Sequence, residues 1–356
     1  MKTLLLTDIP PCNNFTAGLV LSKLMRFFPE GDIVMCSIVH PEINPIIPED
    51  LRRVPALTIP KHREHSFRAL PGWGGAATAY AFEAIQALRT YRVLLPRIVD
   101  FARTHKVEAL WVVLQGQTML RLARPLSRKL GRPLFTQIWD PFAWWLRDNT
   151  IDLATSKRLI AEYDAVLRQS AACATPSWAM AEEYKRRHSL RPTPVIAGLS
   201  KGLARSPGTA PHVRESYIIG MAGQFYSQDE WNCLIHTLNL AEWRIAGRPV
   251  RIRVLGGSFK AFTQSPGDFE YLGWRSQEET IRLLAETDLL YLPYWFSEKF
   301  REEACYSFPS KLVTYFAAGR PVFFHGPDYA SPAQYLKEHR AAHLCHSMDP
   351  PAVLNG

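Results

Sequence analysis

Pro309, Ser310 and Lys311 carry the clearest chemical signal in the chain, at the head of SFPSKLVTYFAAGRPVFFHGP, residues 307–327. The stretch reads as a loop, a short helix and a buried strand. Pro309 suits the first helical position, where its missing N–H costs nothing, and Gly319 suits the far end. The apolar run PVFF then fits a central parallel strand. A helix N-terminus offers unpaired N–H groups to an anion; Ser310 adds a hydroxyl and Lys311 a full charge.

Two further strand ends bear glycine. GMAGQFYSQDEW sets Gly220 and Gly223 where a strand meets a helix, and RVLGGS sets Gly256 and Gly257 at another strand end. Glycine there lets backbone approach a ligand, and a tight turn explains it equally well. Neither loop is a G-x-x-x-x-G-K-[ST] phosphate loop. After the first strand, TDIPPCNNFTAG has Gly18 alone where a dinucleotide fingerprint needs three glycines. The ATPase and dehydrogenase readings thereby lose their best support. At the strand end TQIWDPFAWWLRDN, Asp140 can act as a general base. It can equally cap the helix that Pro141 would start. Trp139, Phe142, Trp144 and Trp145 around it can stack on a ligand, meet a membrane or fill core. Asp8, at the end of the first strand, carries the same ambiguity as Asp140.

Strands and helices alternate to position these residues. TLLLTD, DIVMCSIV, ALWVVLQ, LFTQIW and ACATPS read as strands, with helices predicted over 17–28, 76–103 and 156–170 between them. KGLARSPGTAPHVRES, residues 201–216, has no periodicity and reads as a linker. The alternation restarts with YIIGMAG, a helix over 229–246, VRIRVLGG, FEYLG, SQEETIRLLAET and LLYLPY. The fold class is therefore α/β, with two doubly wound domains facing a cleft. The expected bounds are 1–203, a linker over 204–216, 217–345 and a tail over 346–356.

Composition narrows the partners. The chain has 356 residues, 47% of them hydrophobic, enough for two packed cores. The net charge of +9 admits an anionic partner. The basic residues are scattered, KRRH at 185–188 being the densest group, so nucleic acid is not expected. The six cysteines form no C-x-x-C pair, and neither zinc nor disulfides are implied. The eleven histidines form no H-E-x-x-H. MKTLLLTDIPP is a first strand rather than a signal peptide, and no run of apolar residues is long enough to span a bilayer. A cytoplasmic protein, free or at a membrane surface, is expected.

Taken in order, IGMAGQFY, RVLGGS, YLGWRSQEE, DLLYLPY and FPSKLVTYFAAGRPV resemble the second domain of GT-B glycosyltransferases, particularly the retaining family GT4. TDIPPCNNFTAGLVLSKL resembles that family's first loop, which opens onto the acceptor. The resemblance implies two Rossmann-like domains, a nucleotide diphosphate sugar as donor, no metal or other cofactor, and a glycan or lipid-linked acceptor. It assigns the donor to Gly223, Gln224, Phe225, Tyr226, Gly256, Trp274, Pro309, Ser310, Lys311 and Thr314, with Ser227 as a further hydroxyl. It assigns the acceptor to Thr16, Gly18 and Arg68, the last in the basic loop HREHSFRALPGWGGAATAY with Arg63 and His65. A solvated loop is the plainer reading of that segment. Asp140 then stands as the catalytic acid group, a base that inversion would require and retention would not.

The departures from the family are specific. Gln224 stands where it carries Arg, Asp229 where it carries Lys, and its spaced glutamates fall at Tyr306 and Thr314. A nucleotide-sugar epimerase of the same fold, or a subunit that binds nucleotide sugar or a partner without turnover, are the alternatives. AHLCHSMDPPAVLNG is similar to the stretch that precedes a helix crossing back onto the first domain in the family.

Overall fold

The computed structural model of the chain describes residues 1–61, 64, 72–188, 190–208, 215–256 and 269–355, with only the backbone of 72, 73 and 76. They divide into two compact units, Met1–Ile196 and Ala197–Gly356.

In the first unit the apolar runs become strands because both of their faces are covered. β1 (Thr3–Thr7) and, after α1 (Thr16–Met25), β2 (Ile33–Val39) are buried at every residue. β3 (Ala56–Pro60) is the half-exposed edge beside β2. Flanked by Pro55 and ending at Pro60, it gave no strand signal in the sequence, since prolines within sheets are confined to edges. One long helical run follows: α2 (Gly72–Arg89), a π-helical turn over Thr90–Leu94, and α3 (Leu95–Thr104). The sequence predicts a single helix over 76–103. The change of winding sits just ahead of Pro96, which has no N–H to continue the α ladder.

Alternation continues through β4 (Ala109–Val113), α4 (Gly116–Leu130), β5 (Leu134–Gln137), α5 (Phe142–Asp148) and α6 (Leu153–Gln169). β6 (Ala172–Thr175), α7 (Trp178–His188) and β7 (Thr193–Pro194) complete the unit. The strands are parallel in the order β3-β2-β1-β4-β5-β6-β7. The winding reverses between β1 and β4, so the carboxyl ends of those strands form this sheet's crevice.

The second unit repeats the plan. β8 (Tyr217–Ala222) leads into α8 (Gln228–Leu240), which stops short of the predicted 246. β9 (Arg244–Ile245) instead pairs antiparallel with β10 (Arg248–Leu255) across Ala246 and Gly247, both at positive φ (49° and 77°). A two-residue hairpin needs that backbone, and alanine does not advertise it. Then come β11 (Phe269–Gly273), α9 (Gln277–Ala285), β12 (Leu289–Pro293) and α10 (Arg301–Tyr306). α11 (Lys311–Ala318), β13 (Val322–His325), α12 (Ser331–Glu338), β14 (His343–Cys345) and α13 (Pro350–Asn355) follow.

The order is β11-β10-β8-β12-β13-β14, parallel apart from β9, and it reverses between β8 and β12. Trp231, Tyr291, Tyr315 and Phe324 fill the core on the two faces of this sheet. α13 packs within the same unit: Val353 joins the core beside α8, and Cys233 Sγ donates to the Met348 carbonyl at 3.2 Å. Part of the expected linker is also tied down there. Arg205 N–H donates to Ala317 O at 2.8 Å and Gly208 N–H to Gly319 O at 2.7 Å, at the end of α11. Residues 209–214 of that linker lie outside the described residues.

Candidate functional site

The crevice of the second sheet is built from the loops after β8, β10 and β11 and the start of α11. Gly223, immediately after β8, has φ +97°, and Gly256, after β10, has φ +126°. Both conformations favour glycine. The loops lie against one another: a Cβ on Gly256 would stand 2.5 Å from Gly223 O. Gly223 N–H donates to Leu255 O and Gly256 N–H to Gly273 O, each at 2.9 Å, and Trp274 follows Gly273 with 47% of its surface exposed. Gly257 lies outside the described residues.

Lys311 reaches back across this floor. Its Nζ donates to Gln224 O at 3.0 Å and sits 4.1 Å from the centroid of the Tyr226 ring. That is cation–π distance. The ring is held from its other neighbours, at 4.9 Å from Trp295 and 6.2 Å from Tyr294. No carboxylate pairs with Lys311 among the described residues. The residue is half-buried, and burial among its neighbours brings the ammonium pKa down to about 7. An ammonium so placed gains by meeting an anion. Thr314, three residues on and half-buried, shares its side of α11.

Ser310 stands at the N-cap with helical angles and no side-chain capping bond, and Pro309 is buried one position further out. The expected first helical position thus falls to Lys311, while Gly319 closes the helix at φ +67° as read from the sequence. Two hydroxyls beside the floor are buried, and neither finds a hydrogen-bond partner among the described residues: Tyr226 Oη and Ser227 Oγ. Ser227 also holds φ +61°, uncommon for a residue with a side chain. Unpaired buried hydroxyls and a left-handed residue at one loop are the kind of local cost that functional sites retain.

Sequence comparison matched no family model and no curated protein. Comparison of structures gives relatives along the whole chain. Sucrose-phosphate synthase from Thermosynechococcus elongatus superposes with TM-score 0.63 at 11% identity, over 100% of this chain and 88% of that one. The lipopolysaccharide outer core galactosyltransferase WaaB, in apo form, gives 0.59 at 12% identity, over 100% and 88%. The trehalose-6-phosphate synthase OtsA gives 0.59 at 9%, over 100% and 90%. The fold is GT-B. At these identities the likeness concerns the fold.

Within this GT-B chain the remaining predicted residues distribute as follows. Gln224 is exposed, and Asp229 is exposed in the first turn of α8, where an acid suits the helix end. Phe225 packs on Trp231 at 5.1 Å, so its ring belongs partly to the core. Asp140 lies half-buried beyond β5, one residue ahead of Pro141, which holds the N-cap position of α5. Thr16 begins α1 and is exposed. Gly18 is explained by packing, because a Cβ there would strike Cys12 Sγ and stand 2.8 Å from Pro10 O. Arg68, Arg63 and His65 lie outside the described residues.

Asp8 is engaged by a lysine the sequence did not single out. Lys61, just after β3, sets its Nζ 3.1 Å from Asp8 and 2.8 Å from Glu64. Burial raises the Asp8 carboxyl pKa, with Lys61 opposing. Glu64 accepts from Thr118 N–H at 2.7 Å, so an ion cluster of the unit's own residues stands at the carboxyl ends of β1 and β4. Tyr315 was missed as well. Its phenol accepts from Ala222 N–H at 3.1 Å and donates to Tyr291 O at 3.1 Å, pinning β8 at the residue before Gly223. Its place in FPSKLVTYFAAGRPV, four residues after Lys311, is the sequence signal that both could serve one site. Among the described residues no group of three or more His, Cys, Asp or Glu converges to hold a metal.

Proposed function

We propose that this chain is a glycosyltransferase that moves a sugar from a nucleotide diphosphate donor to a glycan or lipid-linked acceptor. The observation that carries the reading is Lys311: a cation on the glycine floor of a GT-B crevice, held by Gln224 O and the Tyr226 ring with no carboxylate partner among the described residues. The donor diphosphate supplies the missing charge, with the N-terminus of α11 and Ser310 beside it. In the transfer the bond from the anomeric carbon to the diphosphate oxygen breaks as the acceptor oxygen bonds that carbon. Negative charge grows on the leaving diphosphate, where a fixed ammonium acts most. The resemblance to GT4 favours retention, with the acceptor proton passing to the leaving oxygen. Asp140 is assigned to the acceptor hydroxyl, as its orienting partner, and no metal is assigned. A lipid-linked acceptor would bring the protein to the inner face of a membrane.

A donor-binding subunit without turnover is the second reading. It is favoured by Gln224 and Asp229, which leave the β8–α8 loop without the family's two cations. A thermal-shift screen against nucleoside diphosphates and their sugars tests binding, because a native-state ligand at about a hundred times its Kd adds about 2.7 kcal/mol. Release of nucleoside diphosphate in the presence of acceptors then separates the two readings. No shift with any nucleotide would refute both.

A further inference from the structure

β2 and β3 are parallel neighbours, yet the chain passes between them without the helix that usually makes such a crossing. Pro41, Pro45, Pro48 and Pro55 interrupt any helical ladder there, and the segment carries one short 3-10 turn, Glu49–Leu51. A loop therefore roofs the sheet face where helix side chains would pack, and a cavity of about 710 Å³ lies between loop and sheet. That is the size of a small-molecule site.

Alternate residues of a strand face one side, so the floor is three pairs in register: Met35 with Ala56, Ser37 with Thr58, and Val39 with Pro60. Pro41, Ile43, Ile46 and Ile47 line it from the loop. This roof is tied down. Ile47 and Val54 pack against the core cluster that contains Met35. Asn14, in the loop after β1, accepts from Ile46 N–H at 2.9 Å and donates to Asn44 O at 2.8 Å. Asn13 N–H donates to Ile46 O at 2.9 Å. Asp8, Lys61 and Glu64 do not line the cavity, so it is separate from the ion cluster.

The lining decides what fits. Among the described residues it holds no carboxylate and no aromatic ring but the imidazole of His40, so a sugar or a base finds little to stack on. The rim carries charges of both signs. Arg52 and Arg53 are exposed there with Glu49, Glu42 lies 3.9 Å from His40, and Asp50 pairs with Arg26 at 2.7 Å. Such a rim selects no net charge. The floor does offer one polar pair: Ser37, 3% exposed, stands in register beside Thr58. Two hydroxyls amid aliphatic carbon match an aliphatic body with a single hydrogen-bonding group.

We propose that this cavity binds a neutral aliphatic alcohol, its chain among Val39, Ile43 and Ile46 and its hydroxyl on Ser37 and Thr58. This goes beyond the glycosyltransferase reading and does not depend on it. The full chain, labelled with carbon-13 at its isoleucine methyl groups, is titrated with butanol, hexanol, octanol and octyl sulfate and followed by methyl NMR. Ala56→Phe fills the floor, and Ile46→Glu places a charge at the lip. Both positions are exposed, Ile46 to 58%, so both variants should keep the wild-type melting temperature.

The Ile43, Ile46 and Ile47 signals should shift with the alcohols, and affinity should rise by up to about fourfold per added methylene. Ala56→Phe and Ile46→Glu should each weaken octanol at least about tenfold. Ser37→Ala should weaken it about fivefold by removing one hydrogen bond. No shift with any alcohol, affinity indifferent to chain length, or equal binding by wild type and Ala56→Phe would overturn the proposal. So would octyl sulfate binding about tenfold tighter than octanol, since the charge of Arg52 would then select the ligand.

Discussion

Lys311 differs from an ordinary lysine in a way that pH exposes. Its pKa falls from 10.5 to about 7 on folding, so the folded chain binds fewer protons than the unfolded chain between those values. Stability therefore rises with pH across that window, and the penalty is fully present below about pH 7. Lys311→Met should be more stable than wild type at pH 6, with the difference vanishing by about pH 10. Melting curves of the two proteins across that range check it, and parallel curves would mean that the ammonium is solvated. An anion at Lys311 would reverse the shift, so donor binding near pH 8 should draw a proton from buffer. Asp140 has its own test. Asp140→Asn should lower turnover at least about a hundredfold with donor affinity unchanged if it engages the acceptor hydroxyl. Normal turnover would remove Asp140 from the site. Lys311 was legible because proline and serine announce a helix start just before it. Lys61 and Tyr315 were not: a lysine after an edge strand reads as solvated surface, and a tyrosine inside YFAAG reads as core.

At the scale of elements, the glycine floor is the part that cannot give. A side chain on Gly256 would meet Gly223 backbone while sitting at φ +126°, so neither rotation nor a flexible neighbour relieves it. Gly256→Ala should cost about 1–3 kcal/mol from backbone strain, and more from the clash. It should also weaken donor binding by displacing Gly223. Urea unfolding and nucleotide titration of the same variant check both effects; unchanged stability would mean the floor is loose. The strands buried on both faces were readable from their apolar runs, and so were the helices with a clear apolar stripe. Short elements were not: β9 depends on the left-handed pair Ala246–Gly247, and β3 is bounded by prolines that argue against a strand. The Ser227 conformation was equally silent, since nothing in QFYSQD marks a left-handed serine.

At the scale of the molecule, strand–helix alternation interrupted once was enough to read two doubly wound units. The interruption itself was less legible. The compact units part at Ile196 and Ala197, and residues that looked like free linker are hydrogen-bonded to α11, because a polar, proline-bearing segment can still satisfy helix-end carbonyls. On the proposed function, the second unit's crevice takes a nucleotide diphosphate and Lys311 is the charge that meets it. Calorimetry of wild type, Lys311→Ala and Thr314→Ala, each with a nucleotide diphosphate sugar and with the bare nucleoside, tests this most directly. Loss of a charge-assisted bond worth about 1.5–3 kcal/mol should weaken the diphosphate ligand by roughly ten- to a hundredfold in Lys311→Ala and leave the nucleoside nearly unchanged. Thr314 stands where the resembled family has a glutamate that bonds the ribose hydroxyls, so Thr314→Ala should weaken both ligands alike. Equal losses for nucleoside and diphosphate in Lys311→Ala, or no loss in either, would contradict the account and leave Lys311 a solvated lysine at a helix start.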